Sequence, residues 1–306
     1  MSAMSTNPEI TTAKETTRLQ TYVALTKLRI SVMVLITFAV AAVLAAHAAG
    51  EAMGIGTMFG ALVGMLMIAS SGNAMNMYLE RYTDFLMPRT ASRPLPSQRL
   101  SSTEVAMFVA VTFGVGVAFL YGMVNWQTAV CGIANWVLYV AIYTPLKLRT
   151  PLNTEIGAIA GAMPIIMGSL AATETVGLVC WAFFGVLVLW QFPHFMAIAW
   201  MYRDQYRQGG LKMITVTEPT GRVAGLKSVV TAVMLILVSL LPILSLRTPI
   251  HAWVFALASL FLGVYYLRAA WAFRLDRNDQ VARKLLRASL LYLPAYMLVL
   301  ILACLT

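Results

Sequence analysis

Charged residues are scarce in this chain: 11% of its 306 residues are Asp, Glu, Lys or Arg, against 60% that are hydrophobic. So little polar surface cannot cover a soluble globule, and a mean hydropathy of +0.77 points the same way. Cysteine is rarer still. Cys131, Cys180 and Cys304 stand alone in apolar runs, which excludes a CxxC pair or other metal-binding spacing and leaves the redox compartment open. Acids are fewer than bases, 12 against 22 with a net charge of +10, yet the bases lie in short segments between apolar runs and carry no aromatic interleaving. That layout fits membrane topology and anionic ligands, and nucleic acid is not expected as a partner. Residues 1 to 20 lack the apolar core of a signal peptide, and Glu9 and Glu15 beside Lys14 and Arg18 are unlike a transit peptide. They read as a polar tail at a bacterial cytoplasmic face, ahead of a single domain over residues 21 to 306; a mitochondrial inner membrane is the lesser expectation.

What the chain has in abundance is apolar runs of bilayer length. They fall at roughly 30 to 49, 55 to 75, 104 to 123, 127 to 143, 154 to 172, 178 to 200, 228 to 246, 250 to 270 and 288 to 305. The expected fold is therefore an all-α polytopic membrane protein of nine transmembrane helices. With the N-terminus inside, 21 of the 22 lysines and arginines fall on the inner side and only Arg247 outside. Positive-inside sorting predicts such a split, and a missed or invented span in the middle would scramble it. Nine spans put the C-terminus in the periplasm. The weakest boundary is the very short Val124-Asn125-Trp126 link.

The second span ends in Asn76, Glu80 and Asp84, at i, i+4 and i+8. On a helix their oxygens line one face in steps of about 6 Å. Arg81, Arg89 and Arg93 follow at once. A second inner segment repeats this logic, with Arg203, Asp204, Arg207 and Lys212 after the sixth span, and a short loop between the fourth and fifth spans adds Lys147 and Arg149. Two such motifs suggest two helical halves facing across a central cavity open to the cytoplasmic side.

Carboxylates and cations facing each other at a membrane surface suit a particular chemistry. Mg²⁺ prefers oxygen ligands and is commonly held by one or two carboxylates plus substrate phosphates. Arginine and lysine neutralise the remaining phosphate charge, so the pair can stabilise a departing diphosphate. A diphosphate on a lipid tail explains why such a site opens into a bilayer. The bland alternatives are solvated interfacial groups, above all for Asp204, and plain topology markers, above all for Arg268, Arg274, Arg277, Arg283, Lys284 and Arg287.

The Asn-x3-acid-x3-Asp ladder with the following Arg89-Thr90-x-x-Arg93-Pro94-Leu95 resembles the UbiA superfamily of intramembrane prenyltransferases. The stretches Tyr143 to Asn153, Gly157 to Gly168 with Pro164, and Trp190-Gln191-Phe192-Pro193-His194-Phe195 resemble its haem-farnesylating branch, over roughly residues 21 to 303. The resemblance implies that Asn76, Glu80, Asp84 and Asp204 hold Mg²⁺ and act in catalysis. It implies farnesyl diphosphate as donor, bound by Arg81, Arg89, Arg93, Lys147, Arg149, Arg203, Arg207 and Lys212. It implies haem B as the acceptor substrate rather than a bound cofactor, with a haem A synthase or oxidase assembly factors downstream.

Two positions depart from the superfamily pattern. Glu80 stands where many members have Asp, and a longer carboxylate still reaches a metal. In the second motif Gln205 holds the place of an acid and Asp204 precedes it, a shift that turns a helical side chain by about 100°. Either Asp204 serves from a loop, or the metal leans on Asn76, Glu80 and Asp84.

Among the three histidines, His194 lies inside the sixth span, where an ionisable residue is a functional candidate. His194 and His47 are candidate haem contacts, each against a structural or interfacial alternative; His251 reads as interfacial. A quinone- or chlorophyll-type prenyltransferase would share the ladder but not the two haem-like stretches. A transporter would place its polar groups near the bilayer midplane rather than at one face.

Overall fold

The computed structural model describes residues 17–246 and 248–305. Most of the polar tail, with Lys14, lies outside the described residues, as does Arg247. A bilayer offers no water to backbone N–H and C=O groups, so each apolar run must close its own hydrogen bonds as a helix. In chain order the elements are α1 (Arg18–Leu25), α2 (Leu28–Ala49), α3 (Ile55–Leu79), α4 (Arg81–Phe85), α5 (Ser102–Met123) and α6 (Trp126–Val137). A π-helical turn (Leu138–Tyr143) leads to α7 (Thr144–Leu146), then α8 (Asn153–Thr173), α9 (Leu178–Met201), α10 (Arg203–Gln208) and α11 (Ile214–Thr217). The chain closes with α12 (Arg222–Ser239), a 3₁₀ turn (Leu241–Ser245), α13 (Pro249–Leu275) and α14 (Asp279–Leu305).

Among the described residues, 9 helices are long and apolar enough to cross a membrane, as the apolar runs predict. Two of them start earlier than expected, at Arg222 instead of 228 and at Asp279 instead of 288. Arg283, Lys284 and Arg287 thus sit on the first turns of α14. Long basic side chains keep their heads in water while their stems cover apolar surface, so basic content does not end these helices.

The doubtful link between α5 and α6 is held by one residue. Asn125 Oδ1 accepts the Thr128 N–H at 2.8 Å as the N-cap of α6, and its Nδ2 donates to the Leu170 carbonyl at 2.8 Å on α8. At the other end of α5, Ser101 and Glu104 form a reciprocal capping box.

Small residues let the helices touch backbone to backbone, as expected where lipid supplies no hydrophobic drive for association. A Cβ on Gly168 of α8 would lie 2.2 Å from the Phe38 carbonyl of α2. Gly64 of α3 and Gly116 of α5 approach in the same way. The spans alternate in direction, so Lys27, the segment after α3, the loop around Lys147, the segment after α9 and the α13–α14 turn all gather at one end. That end carries the polar chemistry.

The Gly168 contact generates a prediction. Gly168→Leu forces α2 and α8 apart and costs about 1–3 kcal/mol or more, read as a clear fall in melting temperature in detergent. A wild-type melting temperature would show that this crossing is not close.

Candidate active site

The α-helix of α3 breaks at Glu80 (φ −89, ψ 4), but its register survives the break. Glu80 N–H donates to the Asn76 carbonyl at 3.0 Å and Asp84 N–H to the Glu80 carbonyl at 2.7 Å. The i, i+4 alignment therefore carries through into α4. Asn76, Glu80 and Asp84 meet one cluster of cations.

Each rung of the ladder holds one cation. Lys27 Nζ donates to Asn76 Oδ1 at 2.7 Å, Lys147 Nζ to Glu80 Oε1 at 2.7 Å, and Arg93 Nη1 to Asp84 Oδ2 at 2.6 Å. Arg93 also stands 4.0 Å from Glu80 Oε2. The acids are nearly sealed, with side chains 12% exposed at Glu80 and 1% at Asp84. Charges removed from water in this way persist only when paired.

The electrostatics follow. Burial pushes Glu80 up, but Lys147, Lys27 and Arg93 together hold it below the usual carboxylate range. For Asp84 burial wins over Arg93 and the carboxyl sits above its usual range. Burial lowers Lys147, but Glu80, Tyr143 and Tyr139 together hold it above its ordinary range. Lys27 is lowered to about 7, first by burial and then by Arg93 and Lys147.

Local structure explains why Asn76 presents its oxygen to the cluster. Pro145 has no N–H to donate four residues back, and the chain runs through a π-helical turn just before it. There the Thr144 hydroxyl donates its one hydrogen to the Tyr139 carbonyl at 2.9 Å. Its oxygen must therefore accept from Asn76 Nδ2, 3.2 Å away, which turns Asn76 Oδ1 toward Lys27. The same turn stacks Tyr139 on Tyr143 and seats Lys147 Nζ 4.5 Å above the Tyr143 ring.

The second motif meets the first through Gln205 and not through Asp204. Arg89 N–H donates to Gln205 Oε1 at 3.2 Å, while the Arg89 guanidinium lies 4.8 Å over the Tyr202 ring and reaches the Tyr206 hydroxyl. Asp204 points to solvent, 70% exposed, and pairs with Arg207 at 3.3 Å. The one-residue shift seen in the sequence has turned the acid away from the ladder.

Other expected site residues are spread around this centre. Arg203 is tied to Asp279 at 2.8 Å and to the Trp200 carbonyl. Arg81 lies between the Tyr78 and Tyr82 rings and donates to the Tyr78 carbonyl. Arg149 is exposed, and Lys212 joins through its backbone N–H, which donates to the Lys147 carbonyl at 2.6 Å. In the sequence Lys27 is one of the 21 inner-side bases, with nothing else to mark it. The signal that marks it is the elbow between α1 and α2, where Lys27 adopts φ 48, a left-handed conformation unusual for a side chain with a Cβ.

The histidines part company. His47 is in the last turn of α2, about 30 Å along that helix from Lys27, at the opposite end from the ladder. His194 is part-buried between α9 and α14, stacked on Trp190 at 4.7 Å, with Nδ1 at 2.8 Å from the Ser289 hydroxyl. Ser289 donates its hydrogen to the Leu286 carbonyl at 2.6 Å, so it accepts from His194. His194 is then protonated on Nδ1, and its Nε2 keeps a lone pair.

The ladder supplies only hard oxygen donors. Among the described residues no group of three or more His, Cys, Asp or Glu side chains converges as a protein-only metal cage. A cation here would need further oxygens from a ligand, and the donor set fits Mg²⁺ shared with a phosphate group.

Comparison with known proteins gives a consistent picture. The UbiA prenyltransferase family model matches residues 34–293. The chain is 41% identical over 286 residues to "Protoheme IX farnesyltransferase" of Rhodopirellula baltica, covering 90% of this chain and 97% of that protein. Among solved structures, digeranylgeranylglyceryl phosphate synthase superimposes with a TM-score of 0.77 at 15% identity, covering 94% of this chain and 98% of that one. A UbiA homolog from Archaeoglobus fulgidus, solved with DMAPP and Mg²⁺, superimposes with a TM-score of 0.66 at 14% identity, covering 92% and 99%. At such identities the structural likeness shows the fold.

The lowered Lys27 amine generates a pH prediction. Between about 7 and its ordinary 10.5 the folded protein has lost this proton while the unfolded chain keeps it. The unfolded state binds more protons in that window, so stability rises with pH. The melting temperature of metal- and substrate-free protein, relative to Lys27→Met, should climb from pH 7 to 10. A constant gap between the two would refute the assignment.

Proposed function

The chain belongs to the UbiA prenyltransferase family, and on that premise we propose that it transfers the farnesyl group of farnesyl diphosphate to a vinyl group of haem B, giving haem O. The observation that carries the donor half is the ladder itself, two sealed carboxylates and an amide oxygen each held by one cation. The acceptor half rests on the 41% identity to a protoheme IX farnesyltransferase and on the Tyr143 to Asn153 and Trp190 to Phe195 stretches.

Asn76, Glu80 and Asp84 would hold Mg²⁺. When bound, the ion would offset the diphosphate charge and ease its departure. Lys147 and Arg93 would exchange carboxylate partners for diphosphate oxygens, and Arg89, held against Gln205, Tyr202 and Tyr206 of the second motif, would close the site. Asp204 is at the surface, so Asn76, Glu80 and Asp84 would hold the metal without it, and Arg81, Arg149, Arg203, Arg207 and Lys212 would lend charge around the site. The farnesyl C1–O bond breaks with its electron pair leaving on the diphosphate. The vinyl π electrons form the new C–C bond with the allylic cation, and water adds to the remaining carbocation with loss of a proton. Haem B, farnesyl diphosphate and water thus yield haem O and diphosphate.

His194 is assigned to the acceptor. An Nε2 lone pair accepts and does not donate, so it suits haem iron better than a propionate carboxylate. His47, at the far end of α2, is left an interfacial role. The 21 to 1 split of basic residues supports an inner-membrane protein with its N-terminus in the cytoplasm and C-terminus in the periplasm. Haem O would pass to a haem A synthase or to oxidase assembly factors.

Purified protein given farnesyl diphosphate, Mg²⁺ and haem B should yield a product with the mass of haem O; product from 4-hydroxybenzoate alone would overturn the acceptor. Asp84→Ala should lower turnover by roughly 10²–10³, the scale of losing one preorganised electrostatic partner, while Asp204→Ala stays within a few-fold of wild type. Near-normal turnover in Asp84→Ala would contradict the ladder's role. His194→Ala should change the absorption spectrum of bound haem, and an unchanged spectrum would remove His194 from the iron.

A further inference from the structure

Lys27 is the one cation of the ladder whose partner carries no charge. Lys147 faces Glu80 and Arg93 faces Asp84, but Lys27 donates to the amide oxygen of Asn76 at 2.7 Å. With Lys27 protonated, the state an incoming anion favours, Lys27, Lys147 and Arg93 against Glu80 and Asp84 leave the cluster one positive charge in surplus. An ammonium has three N–H donors, and among the described residues the Lys27 ammonium makes one hydrogen bond, to Asn76. A half-buried cation held by a neutral group and short of acceptors is poorly compensated, and an anion entering the cluster would complete it.

The backbone points the same way. Lys27 is the elbow between α1 and α2 and sits in the left-handed region, φ 48 and ψ 54, where a Cβ is disfavoured and glycine or asparagine is at ease. A lysine at such a position carries a conformational cost that its side chain must offset. Asn76, whose orientation Thr144 fixes, is what receives that side chain. Asn76 is thus placed to orient the amine rather than to neutralise it.

We infer that Lys27 is a diphosphate-binding residue, a third cation that joins Lys147 and Arg93 on the leaving group and is held ready for it by Asn76. The inference rests on the proposed farnesyl transfer and adds to it a residue from the α1–α2 elbow, outside both acidic motifs. Because the contact is with the donor's diphosphate, it predicts a defect confined to the donor.

The test uses the full chain in detergent with inorganic pyrophosphate and Mg²⁺ as the probe, and calorimetry as the readout. Lys27→Gln should weaken pyrophosphate binding about tenfold or more and raise KM for farnesyl diphosphate in parallel, with KM for haem B unchanged. Lys27→Arg should recover most of the affinity. Lys27→Gly separates binding from structure: relieving the left-handed strain should keep or raise its melting temperature, yet pyrophosphate binding should still be lost. Wild-type pyrophosphate affinity in Lys27→Gln or Lys27→Gly would overturn the inference while leaving farnesyl transfer intact. Absence of pyrophosphate binding in the wild-type protein would instead overturn the diphosphate reading itself, and this inference with it.

Discussion

Two carboxylates sealed at the mouth of an apolar bundle survive only because cations lie against them, and the Glu80–Lys147 and Asp84–Arg93 contacts meet that need. Much of the polar end is arranged to keep these contacts. The register from Asn76 to Asp84 crosses the α3–α4 break intact, the π-helical turn before Pro145 seats Lys147 over Tyr143, and the chain folds back after α4 to bring Arg93 onto Asp84. The bundle below supplies rigidity. Close crossings at Gly168 and Gly116 hold α2, α3, α5 and α8 where their ends must converge.

The same pairs suit the site to exchange. A Mg²⁺ ion and a diphosphate bring the opposite charges to those the ladder already pairs, so acids and bases can change partners without either being left bare. That economy matters in a membrane, where an unpaired charge has no water to retreat to. Among the described residues there is no protein-only metal cage, so a cation here would need further oxygens from a ligand.

Much of this was legible in the sequence for plain physical reasons. Bilayer thickness sets the length of an apolar run, so nine spans could be counted, and the helical repeat puts Asn76, Glu80 and Asp84 on one side. What escaped was direction. Lys27 looked like any other inner-side base, since a sequence carries the sign of a charge but not the left-handed elbow that turns it inward. Asp204 and Gln205 differ by one position, about 100° of helical turn, and only the packing of α10 against the segment after α4 decides that Gln205 meets Arg89. The π-helical turn was hidden as well, because Pro145 announces a disturbance without saying whether the helix will kink, end or widen.

On the proposed reaction the ladder's cations are placeholders that would move to the diphosphate as a metal took their oxygens. The most direct measurement is an experimental structure of the protein with Mg²⁺ and a non-reactive thiolo analogue of farnesyl diphosphate. In that complex Lys147 Nζ should leave its 2.7 Å contact with Glu80 and Arg93 its 2.6 Å contact with Asp84, both reaching diphosphate oxygens while the acids face the metal. A complex with metal and diphosphate bound and both contacts intact would contradict it.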